Sequence, residues 1–365
     1  MVDKKMIYNN LIVNKKMWSE LETMVQNQKL PHALLFHGPD GSGKEAHAIE
    51  LAALLNNHNG NNQIAKIKKF QHPNINLIIP MPREKNINKK SFSLDCLSEK
   101  SLEDLIEMKK NKMQFPYQNI NFDKASSILI NSIRDIKKNS HFSIDNGSVV
   151  HIIFEAEKLC SPKTEPGNAL LKILEEPPKN TFFILIASNK DKLLDTILSR
   201  CCDFYFSRIT NEKITNYFED KPEVQKLDLI INITNGSMKQ INNIVDSGIN
   251  IQELIEDAKN IVGTLMKNNA WQLNYKKAEQ LFKTDKQTFK IFIKILIFVL
   301  NDLEKIKNNN FDCLILEDVK KTKVLDYNAC IEIVEKTYQN LYKNLNPSIG
   351  LASMLIEMKK ILFKV

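Results

Sequence analysis

Cysteine is present but unpatterned: Cys96, Cys160, Cys201, Cys202, Cys313 and Cys330 form no Cys-x-x-Cys pair, so neither a zinc ribbon nor a disulfide framework is expected. Arginine is scarcer. Lys and Arg together number 51, yet the arginines are only Arg83, Arg134, Arg200 and Arg208. A chain this rich in Lys, Asn and Ile is what an AT-rich coding sequence produces, and each arginine kept against that bias is more informative. Long apolar runs are also missing. The longest, Phe289 to Leu300, covers 12 residues and includes Lys290 and Lys294, well short of the ~20 residues of a membrane span. It is expected to be a buried helix. The first residues are charged and polar with no apolar signal region, so a cytoplasmic location and no membrane partner are expected. A net charge of +8 permits contact with nucleic acid without identifying it.

What is there is a chain of 365 residues, long enough for two or three domains, organised around one loop. Leu34, Leu35 and Phe36 form a short apolar run, His37-Gly38-Pro39-Asp40-Gly41-Ser42-Gly43-Lys44-Glu45 follows, and Ala46 to Leu55 has helical spacing. A glycine-rich loop between a strand and a helix N-terminus cradles phosphates with backbone N–H groups, and a lysine at the Lys44 position reaches the outer ones. Gly38, Gly41, Gly43, Lys44 and Glu45 are therefore the candidate nucleotide residues, with one departure. The residue after the lysine is ordinarily Ser or Thr, whose hydroxyl ligates magnesium; here it is Glu45.

A helix over Lys15 to Gln28 precedes the loop, with Met17, Leu21 and Met24 on one face. Further strands are expected at Ile75 to Ile79, Ser148 to Ile153, Phe182 to Ala187 and Asp203 to Phe206. With the strand before the loop these make five, separated by helices, and so an α/β domain with a parallel sheet. Residues 83–124 are polar, Lys- and Asn-rich and weakly periodic, and read as a partly mobile insert. A hydrolysing site of this architecture ends its third strand in adjacent acids, one for the metal and one for the attacking water. Here Phe154 stands at the first position and Glu155 at the second. Two departures in one site argue against hydrolysis; whether ATP still binds is left open, and no cofactor or metal is assigned. Asn189, at the end of the fourth strand, is a candidate phosphate sensor or a plain turn former. Beyond Arg208 the pattern is purely helical, with helices expected near 272–283, 286–307, 328–345 and 348–363.

The run Asn168-Ala169-Leu170-Leu171-Lys172-Ile173-Leu174-Glu175-Glu176-Pro177-Pro178 and the triplet Ser199-Arg200-Cys201 resemble the signature motifs of bacterial clamp-loader subunits. Leu30-Pro31-His32-Ala33 before the loop and the helical last third agree, and the chain resembles the delta-prime branch of the DNA polymerase III clamp loader, an AAA+ family. The resemblance implies three parts: a RecA-like P-loop domain over 1–208 with a five-stranded parallel sheet, a helical lid over 209–249, and an all-α collar over 250–365 that joins a ring. It implies a non-hydrolysing stator in DNA replication. Arg200, supported by Ser199 and Cys201, would act on the ATP site of a neighbouring subunit. Lys239 would take the place of the lid's phosphate sensor. The implied partners are gamma/tau-like ATPase subunits and a delta-like subunit, with the sliding clamp and primed DNA reached through the complex. The alternative is an ATP-hydrolysing motor subunit of the same loader. Against the common pattern, no cysteine lies between Asn56 and His72, where many relatives carry a zinc module, so no zinc is expected. Leu11-Ile12-Val13-Asn14 departs from the usual Ile-x-Gly-Gln.

Overall fold

The computed structural model describes residues 6–56, 61–122, 124–139, 147–219, 226–267, 271–319, 321–341 and 346–363. The chain divides into two compact units, Met1–Tyr217 with Gly236–Gln240, and Phe218–Asn235 with Ile241–Val365.

The first unit is built on strands β1 (Ala33–His37), β2 (Ile75–Ile78), β3 (Val149–Ile153), β4 (Thr181–Ala187) and β5 (Cys202–Tyr205). They form one sheet in the order β2-β3-β4-β1-β5, every pair parallel. The helices are α1 (Lys15–Gln26), α2 (Lys44–Asn56), α3 (Asn61–Lys68), α4 (Glu99–Gln114), α5 (Ile130–Asn139), α6 (Glu165–Glu175), α7 (Asp195–Leu198) and α8 (Asn211–Phe218). Parallel strands must be covered on both faces, and the alternation along them divides accordingly. Leu34 and Phe36 of β1 enter a core with Ala48, Ile49 and Ala52 of α2. Ala33 and Leu35 enter the opposite core with Leu170, Ile173 and Leu174 of α6. Both faces of a central strand being apolar explains why these segments read as unbroken hydrophobic runs. Ligands of such sheets bind beyond the carboxyl ends of the strands, where β1 hands over to the loop at Gly38.

The described part of the insert, residues 83–122 and 124, holds more structure than its weak periodicity suggests: Ser98 caps α4 by accepting from the Ser101 N–H, and Glu84 accepts from the Ser98 N–H at 2.7 Å and the Ser101 hydroxyl at 2.8 Å. Cys96, Leu97, Leu105, Ile120 and Phe122 are buried in the α2 core. The weak periodicity has a cause, since the buried positions of α4 are Ser101, Leu105 and Lys112. Two of these three are polar, so the stripe that packs inward does not look apolar.

The second unit contains α9 (Leu227–Ile233), most of α10 (Met238–Asp246), α11 (Ile251–Met266), α12 (Trp271–Thr284), α13 (Lys286–Lys307), α14 (Tyr327–Leu341) and α15 (Pro347–Leu362). The region expected as a lid thus contributes α8 to the first unit and α9 to the second. Phe289, Ile291, Phe292, Ile293, Ile295, Leu296, Val299 and Leu300 of α13 are all buried, because α13 packs on α11, α12 and α14. Asp285 starts it by accepting from the Gln287 and Thr288 N–H groups. The last four residues of the helix expected over 328–345 lie outside the described residues. Asp302, 1% exposed, accepts the backbone N–H groups of Leu314, Ile315 and Leu316, so its charge is compensated by a turn of main chain. Among the described residues no helix is long and apolar enough to cross a membrane.

Candidate functional site

The loop joining β1 to α2 is held by close backbone approach. Gly38, at φ +140°, leaves no room for a side chain, since a Cβ there would fall 2.1 Å from the Phe206 carbonyl oxygen. Gly41, at φ +76°, faces Ser237 and Met238 with similar tightness. Lys239, one residue further on, places its Nζ 4.0 Å from the Asp40 carboxylate of the loop. Lys44 is nearly fully buried and folds back on its own loop, its Nζ donating to the Gly38 and Pro39 carbonyls at 2.7 Å each. Burial lowers its pKa from the ordinary lysine value.

His47, one turn into α2, ties the loop to the segment before α1. It bonds the Gly43 carbonyl through Nδ1 at 2.8 Å, and the Asn14 N–H donates to Nε2 at 3.4 Å. Both contacts together require the neutral ring with its proton on Nδ1. Burial lowers the His47 pKa to about 4. Between that value and the unfolded value near 6.5 the unfolded chain binds the extra proton and the folded chain does not, so stability falls as the pH drops through this window and levels off below it. Taken over that interval the loss is about 3 kcal/mol. His47→Gln should flatten this part of a urea-midpoint profile; a profile of unchanged slope would contradict the assignment.

Glu45 supplies the decisive contact. Its carboxylate lies 2.6 Å from the Nζ of Lys112 on α4, an ammonium whose side chain is 1% exposed and which also donates to the Pro116 carbonyl at 2.9 Å. Burial lowers the Lys112 pKa, and Glu45 opposes that shift. The cavity bounded by Gly41, Gly43, Lys44, Glu45, Lys112 and Tyr117 holds only about 40 Å³. That is space on the scale of one water, whereas small-molecule sites run to roughly 300–1,000 Å³. Phe154, at the position where a metal-binding acid would stand, is 0% exposed and packs in the α2 core. A magnesium nucleotide does not fit these residues. Glu155 does line the cavity, with a left-handed φ of 47° and an ion pair to Lys158 at 2.7 Å.

Arg200 does not line this cavity. It follows the short helix α7, half-buried, with Nη2 2.7 Å from Glu175 Oε1 and Nη1 donating to the Thr196 carbonyl at 2.8 Å and the Ser199 hydroxyl at 3.3 Å. Nothing in the sequence pointed to Glu175 as the partner of Arg200. Cys201 tucks against the α6 core, and burial raises its thiol pKa to about 12. Asn189 is exposed and its Oδ1 accepts the Asp191 N–H at 2.9 Å. The structure therefore shows it shaping its own turn, and it is Ser188 that lines the cavity. Sequence reasoning missed Lys112 and Tyr117. The only signal was indirect, namely that an acid inside a phosphate-binding loop calls for a cation from somewhere.

A family described as DNA polymerase III, delta subunit, matches residues 13–210. DNA polymerase III subunit tau of Bacillus subtilis is 26% identical over 268 residues, covering 71% of this chain and 41% of that protein. Subunit gamma/tau of Mycoplasma genitalium is 25% identical over 367 residues, covering 92% of this chain and 53% of that one. The chain therefore spans about half or less of the length of these relatives. A solved structure of a gamma subunit-related protein from Thermotoga maritima aligns over 94% of this chain and 99% of its own, with 15% identity and a TM-score of 0.44.

Proposed function

Because this chain belongs to the DNA polymerase III, delta subunit family of clamp-loader proteins, we propose that it is the delta-prime-like, non-hydrolysing stator of a clamp loader, lending Arg200 to the ATP site of a neighbouring subunit. The observation that carries the first half is the Glu45–Lys112 ion pair at 2.6 Å, which sets an ammonium against the residue whose counterpart ligates magnesium. Phe154 and the small cavity support it. For the second half, Arg200 stands at the end of α7 with a half-exposed guanidinium whose only charged partner among the described residues is the surface carboxylate of Glu175, so little holds it back from a phosphate. Its proposed partners are gamma/tau-like ATPase subunits and a delta-like subunit, with the sliding clamp and primed DNA engaged through the assembled ring. The proposal includes a cytoplasmic location, no zinc, and a functional division into P-loop domain, lid over 209–249 and collar over 250–365.

One observation favours the alternative of an ATP-hydrolysing motor subunit: Glu155 lines the loop cavity together with Lys44, where an acid could polarise water. A single assay separates the two readings. The purified protein should show no ATP turnover above background, with or without primed DNA. Steady turnover that Lys44→Ala abolishes would overturn the stator reading and restore the motor.

A further inference from the structure

The misfit between the loop and a magnesium nucleotide has a definite physical author in residues 111–119, which approach the loop from the insert. Lys112 Nζ reaches Glu45 at 2.6 Å. The Tyr117 ring lies against the loop so closely that a Cβ on Gly43 would meet its Cε1 at 3.3 Å. The Tyr117 hydroxyl accepts the Ile12 N–H at 2.8 Å, from the segment leading into α1, and its ring meets Tyr217 of α8 edge-on at 6.2 Å. Asn10 adds a bond to the Gln114 carbonyl at 3.3 Å. One short stretch thus touches the loop, the segment before α1 and the start of the helical region, with a cation at one end and an aromatic ring at the other.

We infer that residues 111–119 are an internal ligand of the P-loop: Lys112 stands in for the divalent cation, Tyr117 fills space beside Gly43, and the stretch excludes nucleoside triphosphate from a loop that keeps its glycines and lysine. The chemistry agrees at each contact. A carboxylate at position 45 would repel a triphosphate but suits an ammonium, and a 2.6 Å charge-assisted bond is among the strong ones. Lys44 donates to the loop's own carbonyls, so the stretch from the insert leaves the rest of the loop intact. The inference deepens the non-hydrolysing reading and rests on it, but predicts something that reading does not, namely that nucleotide affinity can be recovered by removing the plug.

The test is binding of a ribose-labelled fluorescent ATP in the presence of magnesium to three variants and the unaltered protein. Glu45→Ser alone restores the hydroxyl but keeps the plug, and should gain no affinity. Glu45→Ser with Lys112→Ala and Tyr117→Ala removes both charges together and opens the cavity; it should bind at least about tenfold more tightly than the unaltered chain, a difference large enough to exceed ordinary scatter. If that variant does not fold, Tyr117→Ala alone is the deciding arm and should still improve binding. A folded triple variant that binds no better overturns the inference, as does a Glu45→Ser protein that gains as much as the triple. Turnover by the unaltered protein is a separate result, which would count against the stator reading and not decide the plug.

Discussion

Lys112→Met should lower the stability of the first unit by about 3–5 kcal/mol, the usual cost of removing one partner of a buried ion pair. The reason lies in what is left behind. The Lys112 side chain is 1% exposed and that of Glu45 13%, so the methionine fills the volume while the half-buried carboxylate loses its counter-charge. The Pro116 carbonyl loses its donor as well. Replacing both members, as Glu45→Gln with Lys112→Met, should cost clearly less than the single change, because no charge is stranded. Urea unfolding of the four proteins in the cycle gives the answer. Midpoints that fail to move on Lys112→Met would mean that the pair is not formed in solution.

The second large effect concerns Arg200. An arginine finger contributes about 10³–10⁵ in rate at the site that it serves, but in the proposed ring with several ATP sites only one would face this subunit. Clamp loading by a reconstituted complex should therefore fall by about tenfold with Arg200→Ala, with DNA-dependent ATP turnover falling alongside, while assembly survives. Lysine should restore little, since it keeps the charge without the planar fork that grips phosphate oxygens at two points. Glu175 sharpens the experiment. Its pair with Arg200 is largely exposed, and such pairs are worth ~0–1 kcal/mol. Glu175→Ala should leave loading within about twofold of normal on that account. If it matched the Arg200→Ala defect instead, the arginine's work would be local and the trans role would be lost.

The strands were legible because a central parallel strand must be apolar on both faces, and β1, β3 and β4 come out within a residue or so of where their runs begin and end. The helices of the last third were legible through the 3.6-residue spacing that puts Phe289, Phe292 and Leu296 on a buried face. Phe154 was legible as a missing acid. What sequence could not supply was pairing across long separations. Nothing at Glu45 points to a residue 67 positions away, and the polar character of Ser101 and Lys112 disguised the very helix face that is buried. The same limit applies to Asp302, whose partners are main-chain N–H groups at 314–316 and leave no trace in side-chain identity. At Asn189 the sequence left two readings open, a phosphate sensor or a turn former, and the bond it accepts from the Asp191 N–H is the one a turn former makes.

The contact between α4 and the P-loop also bears on how this subunit experiences the cell. A diffusing nucleotide fills its site according to the adenylate pool, and occupancy rises and falls with the metabolic state. Lys112 and Tyr117 belong to the same chain as Gly43 and Glu45, so their effective concentration at the loop is fixed by the fold and cannot be diluted. In the proposed stator, starvation or abundance would leave this loop unchanged, a constant surface against which nucleotide-driven movements of neighbouring subunits could be made.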